Sequence, residues 1–396
     1  MTKRVGQMHI SVALSGAGHH PGSWRSPAAE PDRLLDPHYY YRLARTADRA
    51  GFDLLVVDAP PALARPEAEG REPGLLLEPL TLLTALGSVT GRIGLAAEVE
   101  TAVSEPFAAA RILAVLDHLS AGRAAWQPVT TGQAEPHRPV QGRALHTEEE
   151  LRARKREFVD VVRQLWDSWD EDALLVDKEA GRFIDPQKVR PIGHTGAYFR
   201  VQGPLSVPRP RQGRPLAISS HSGPGIPDAS ELEGTELAFL SFSGLSEAAA
   251  GYAELQCRVE GQGRPRGSVR ALARLMPILA PTEAEARARA EQLRELAAWS
   301  LGTAFAAGSG EVAPLFVGTP RQLADLMEEW FVGRGCDGFH LHPAVLPTDL
   351  QQLADEVMPL LQARGLTRIA DDATTLRGRL GLEFPPGPAR TKEAYE

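Results

Sequence analysis

The chain has 396 residues, 43% of them hydrophobic, with a net charge of -8 and two cysteines. That is apolar material for a large core, in two domains or in one barrel with insertions. No Lys/Arg-rich run marks a nucleic-acid or anionic-membrane partner, no stretch of about 18 apolar residues marks a membrane span, and Cys257 and Cys336 are too far apart for a disulfide framework or a clustered-thiol zinc site. The expected partners are small molecules or other proteins. The short apolar run behind Lys3 and Arg4 lacks a small-residue cleavage site, so a cytoplasmic location is expected.

Met8 to Leu14 alternates as a strand and ends at Ser15 and Gly16, before a long loop, GAGHHPGSWRSP, with two histidines and Trp24. Asp36 caps a helix that starts at Pro37 and stops at Gly51. The apolar run LLVVDAP ends in Asp58, either a site carboxylate at a buried strand's end or a cap for the next loop. Glu78 to Thr90 reads as helix, Ile93 to Ala97 as strand, EVETAVSEP as its outgoing loop, and Pro106 opens another helix. LDHLSAGRAAWQPVTT, 116 to 131, is a last helical turn, a turn closed by Gly122, and a strand Arg123 to Gln127 stopped by Pro128. Gln127, Thr130 and Thr131 therefore stand past a strand's carboxyl end, where such folds hold ligands.

Thr147 and three glutamates open an amphipathic helix to about Trp169, whose stripe of Phe158, Val161, Val162, Leu165 and Trp166 reads as core. Residues 170 to 213 are rich in Asp, Gly and Pro and too long for an ordinary connection; they are expected to lie over the barrel mouth as a lid and dimer contact. Strands follow at Leu216–Ser219, Leu237–Ser241, Ala271–Leu279 and Gly338–His342, with helices between them, one from Thr282 to Leu301 and one opened by Thr319 and Pro320. Eight strands, each followed by helical sequence, fit a closed (β/α)8 barrel best and an open doubly wound sheet second. The expectation is a single domain over 1–382 with a loosely ordered tail over 383–396.

No nucleophile elbow is present, and GQGRPRG at 261–267 does not sit between a strand and a helix in a dinucleotide-binding unit. His340 and His342, two apart on one strand, together with His9, His19 and His20, raise a metal centre as a minor alternative that lacks placed carboxylates. The loop SHSGPG offers backbone N–H groups and Ser222 for a phosphate.

LDHLSAGRAAWQPVTT resembles the LDHLSGGRxGWNxVTS signature of the luciferase-like, flavin-dependent monooxygenases, in the branch acting on nitrilotriacetate, dibenzothiophene sulfone and pristinamycin precursors. HHPGSWRSP, EPLTLLTALGSVTGRIGLA, LWDSWDEDAL, VGTPRQLADLMEEWF, DGFHLHPAVLP and the stretch through PRPRQGRP are similar to the same branch, so the resemblance spans nearly the whole chain. It implies a (β/α)8 barrel with reduced FMN at its carboxyl-terminal mouth, supplied by a separate flavin reductase, O2 as oxidant, a small organic substrate, and assembly as a homodimer or as a heterodimer with a paralogue.

The resemblance assigns Asp58, Thr101, Gln127, Arg152, Ser222 and Gly223 to the cofactor, and neither a metal ligand nor a catalytic acid or base. It also shows departures. Glu98 and Glu100 flank the flavin-contacting threonine position where small neutral residues are usual; Glu148 and Arg152 stand where a histidine and a tyrosine touch the flavin. Gly223 and Ile226 replace a serine and a glycine of the phosphate cradle. Arg152 is expected to offset the added carboxylates by binding phosphate. Two readings follow: an active monooxygenase with a rearranged flavin pocket, or a flavin-free, non-catalytic subunit or binding protein acting beside an active paralogue.

Overall fold

Parallel strands alternate with helices in the computed structural model, which describes residues 6–58, 77–130, 147–221, 225–301, 313–368, 374–385 and 387. The strands are β1 (His9–Leu14), β2 (Leu54–Val57), β3 (Gly94–Glu100) and β4 (Ala124–Val129), two short hairpins β5–β6 (Leu174–Asp177, Arg182–Ile184) and β7–β8 (His194–Thr195, Arg200–Val201), then β9 (Leu216–His221), β10 (Leu237–Leu240), β11 (Arg270–Leu279), β12 (Leu315–Gly318) and β13 (Gly338–Leu341). The helices are α1 (Pro37–Ala50), α2 (Pro79–Gly87), α3 (Pro106–Leu119), α4 (Glu148–Trp166), α5 (Leu245–Gly261), α6 (Glu283–Leu301), α7 (Pro320–Val332), α8 (Thr348–Gln352), α9 (Met358–Ala363) and α10 (Leu376–Arg379).

The sheet runs β10-β9-β4-β3-β2-β1-β13-β11, and β10 also pairs with β11, so eight parallel strands close into a (β/α)8 barrel. These are the eight strands read from the sequence. A ninth, β12, was not among them: its four residues lead directly into the Thr319 cap of α7, and they count as a strand only because Leu315–Gly318 pairs with Met276–Leu279 of the long β11. β4 also runs through Pro128 instead of stopping there. The proline removes one donor, but the Val129 carbonyl still accepts from the Thr101 N–H and carries the strand on.

The chain divides into two compact units, Met1–Ala97 with Ala217–Ala373, and Glu98–Leu216 with Thr374–Glu396. In the first, β1 pairs β2 and β13 with Ser11 opposite both Leu54 and His340, and β11 places Arg274 opposite His340. Residues opposite one another in parallel strands share a face, so Ser11, His340 and Arg274 point the same way. Phe339, one residue on, points the other way and meets Trp330 of α7. The α1 helix begins where Asp36 accepts from the His38 N–H and ends at Gly51, whose left-handed φ of 87° lets its N–H reach the Ala47 carbonyl.

In the second unit α4 is opened by a full capping box, Thr147 with Glu150, and its apolar stripe is buried as core. Trp126 of β4 packs edge-on against Trp166 and near Phe158, which turns Ala125 and Gln127 to the opposite face. Asp117, fully buried at the end of α3, accepts from the Ala124 N–H, the Gln212 N–H and the Gln212 side-chain amide. Gly122 closes the turn with φ of 85°, and a Cβ there would meet Thr375 at 2.7 Å. The 170–213 segment is anchored on α4 and on the start of β4: Glu157 accepts from the Tyr198 and Phe199 N–H groups, the Arg154 guanidinium covers the Phe199 ring, and Gln212 donates to the Ala124 carbonyl. Glu383 to Pro385, expected to be loose, are also held, because Arg377 donates to the Glu383 carbonyl and Arg209 to that of Pro385.

Candidate functional site

Within the first unit, polar side chains gather along and just beyond β1, β10, β11 and β13. His340 meets the Ser11 hydroxyl through Nδ1 at 2.9 Å, and its ring lies flat on Phe239, centroids 3.9 Å apart. His342, immediately past β13, stands edge-on to His340 at 4.5 Å and to His19 at 4.7 Å. The buried Arg274 donates its Nε–H to His342 Nε2 at 3.5 Å. Arginine can only donate, so His342 Nε2 is an acceptor and the ring proton sits on Nδ1. Burial, reinforced by the Arg274 charge, pushes both buried imidazoles well below the ordinary histidine value and keeps them neutral.

His19 is engaged at both nitrogens, Nε2 to Asp58 Oδ2 at 2.8 Å and Nδ1 to the Pro343 carbonyl at 3.1 Å. The ring is thus held between the Asp58 carboxylate just past β2 and a carbonyl of the loop after β13. The loop after β1 is clamped to the loop after β13 by three backbone bonds, His19 N–H to Pro343, His20 N–H to Ala344 and Leu346 N–H to Ala17. Gly18 permits that approach: its φ is +132°, and a Cβ would lie 2.3 Å from the Ala344 carbonyl oxygen. The neighbouring His20 accepts from the Gly22 N–H, and burial lowers its pKa to about 4.

The histidines considered for a metal do not converge. His9 faces Asp53 at the start of β1, and His19, His340 and His342 meet ring edge to ring. Among the described residues no group of three or more His, Cys, Asp or Glu is arranged to hold a metal ion.

The sequence-predicted cofactor residues are spread over both units. Asp58 stands just past β2 with its side chain 21% exposed. In the second unit Thr101 is fully buried, and its hydroxyl donates to the Val129 carbonyl while its own carbonyl accepts from Arg154. Gln127 is buried and donates its amide to Glu98, so two departures from the family wording answer each other: the longer amide reaches the added carboxylate at 3.0 Å. Glu100 caps its own turn by accepting from the Ala102 N–H. Arg152 lies on the exposed first turns of α4, bound to Glu148 at 2.6 Å with side chains 60% and 73% exposed. Ser222, Gly223 and Thr131 lie outside the described residues.

Arg274, Ser241 and Phe239 were not singled out from the sequence. The available signal was a second arginine, Arg274, in the middle of the strand RALARLMPIL, flanked by apolar residues, where a charge has no place unless it serves a buried polar site.

A (β/α)8 barrel whose buried histidines, arginine and paired carboxylate gather at the carboxyl ends of its strands belongs to the enzyme-bearing barrels. Residues 12–338 match the luciferase-like monooxygenase family, and the chain belongs to it. It is 35% identical to N-acetyl-S-(2-succino)cysteine monooxygenase of Bacillus subtilis (strain 168), over 97% of this chain and 99% of that protein. It is 33% identical to nitrilotriacetate monooxygenase component A of Aminobacter aminovorans, over 96% and 97%. The crystal structure of a riboflavin lyase with modified FMN and substrate riboflavin superposes with a TM-score of 0.82 at 26% identity, covering 96% of this chain and 97% of that one.

Proposed function

We propose that the chain is the oxygenating component of a two-component monooxygenase, using reduced FMN from a separate flavin reductase and O2 to oxygenate a small organic substrate. Family membership and the fit to a riboflavin lyase solved with modified FMN support the flavin. The observation that carries the reading is the His19–Asp58 pair, an imidazole held at 2.8 Å against a carboxylate at the ends of β1 and β2 beside His342. Bound reduced FMN would supply the electrons that activate O2. Asp58 fits a contact with the flavin ring because it is partly exposed at a strand end, and Ser222 and Gly223 are the proposed phosphate contacts. His19 would hold a proton at Nε2 next to developing negative charge, and the stacked Phe239 and His340 would wall off water.

A second reading, the flavin-free subunit paired with a paralogue, is favoured by a different observation. Thr101, Gln127 and Arg152 are each already committed to a protein partner, Val129, Glu98 and Glu148. Anaerobic titration of the purified chain with oxidised and then reduced FMN separates the two. Micromolar or tighter binding of the reduced form supports the monooxygenase, and no binding of either form up to millimolar concentration supports the partner subunit.

A further inference from the structure

Exposed apolar side chains are not spread evenly over the molecule. Of the twelve large hydrophobic residues exposed among the described ones, nine lie in the smaller second unit, four of them on the β5–β6 hairpin and three along α3. The α3 helix is apolar on both sides. Leu113 and Leu116 are buried on its inner side, while Ile112 is 41%, Val115 36% and Leu119 66% exposed on its outer side, with Ala108 exposed in line with them. A surface helix normally turns a polar face outward, and one that is apolar all round is a helix covered on all sides.

The order of the outer residues points to what covers them. Ala108, Ile112, Val115 and Leu119 are spaced four, three and four residues apart, the spacing of a seam that packs against another helix. The spacing is also symmetric. Ile112 and Val115 are equally far from the midpoint between Leu113 and Ala114, and so are Ala108 and Leu119. A two-fold axis through that midpoint lays a second α3 antiparallel on the first and sets each Ile112 against the other copy's Val115. It also sets each Ala108 against the other copy's Leu119, small against large, so that the same patch serves both sides. The charges agree with this pairing. Between Ala108 and Leu119 the only exposed charge is Arg111, and the axis places its copy five residues along, about 7.5 Å, so the two guanidinium groups do not meet face to face. An unrelated partner would need no such symmetry.

We infer that the outer face of α3 is the contact between two copies of this chain, packed antiparallel about a two-fold axis between Leu113 and Ala114. The contact rests on α3 alone and is independent of whether the chain binds flavin.

The test is sedimentation equilibrium of the full chain at micromolar concentration, which should give twice the 42.8 kDa of one chain. Val115→Glu sets two carboxylates into the seam close to the axis and should raise the dimer dissociation constant by about 100-fold or more, with unchanged far-UV circular dichroism. The pairing has its own readout. In a Cys257→Ser background, Ala108→Cys combined with Leu119→Cys should cross-link two copies on oxidation, whereas either cysteine alone should not, because it lies eleven residues, about 16 Å, from its own copy along the helix. A monomer at micromolar concentration, a dimer that survives Val115→Glu, no cross-link from the cysteine pair, or a cross-link from either cysteine alone overturns the contact. If Val115→Glu does not fold, the cysteine variants decide.

Discussion

Two groups of buried polar residues, one in each unit, are built on opposite plans. Around Asp117 every acceptor is matched by a donor: one carboxylate takes three N–H groups, the Gln212 side chain gives to Ala124 and takes from Arg377, and Arg377 itself closes on the Gln212 and Arg214 carbonyls. Around His342 the His340 and His342 rings are kept neutral by burial, Arg274 is buried beside them, and the Ser241 hydroxyl has no partner among the described residues. The first plan stabilises, because a satisfied network gains from low dielectric; the second costs stability and suits a ligand. The LDHLS…GR part of the motif, Leu116 to Arg123, thus serves architecture: its Asp117 ties the end of α3 to β4 and to Gln212.

Asp117→Ala should break the first plan with the largest effect. It leaves three buried N–H groups unmatched and should lower unfolding free energy by about 3–5 kcal/mol in urea denaturation; a loss under about 1 kcal/mol would show that water replaces the carboxylate. Asp58→Asn tests the second plan. Asparagine offers His19 Nε2 a neutral amide in place of a carboxylate, so turnover with supplied reduced FMN should fall about 10²-fold at unchanged stability, and unaltered turnover would return Asp58 to a loop cap.

The third prediction concerns pH. His20 is neutral in the folded chain with a pKa of about 4, against 6.5 for an ordinary histidine. Between those values the unfolded chain binds a proton that the folded chain does not. Stability is therefore complete above about pH 6.5 and falls as pH drops toward 4, and His340 and His342 add the same sign. Between pH 7 and pH 5 the His20 contribution is up to about 2 kcal/mol, and His20→Gln should flatten the urea midpoint over that interval. A midpoint equally steep in the variant would rule His20 out.

The smallest effect is expected from Arg152→Ala. With the guanidinium held by Glu148 on an exposed helix face, stability should change by less than about 1 kcal/mol and the FMN dissociation constant by less than about threefold. A tenfold weaker FMN complex would instead assign Arg152 to the phosphate.

Much of the fold was legible in local signals. The caps at Asp36, Thr147 and Thr319, the stop at Gly51 and the apolar runs at Leu54, Leu216 and Gly338 depend on neighbours in sequence, and eight strand–helix units admit few closed arrangements. Asp58 was legible as well, because a carboxylate ending a buried strand is a local event. The amino-acid sequence by itself thus determined the barrel, the family wording and the candidate strand ends.

Only the tertiary structure decided what the polar residues at those ends do. His19 and Asp58 are 39 residues apart and His342 and Arg274 are 68 apart, so no periodicity links them. The same holds for the residues already in use: Thr101 spends its hydroxyl on Val129, and Gln127 spends its amide on Glu98. A hydrogen bond depends on where two groups meet in space and on how much water is excluded there, and closing the barrel sets both at once.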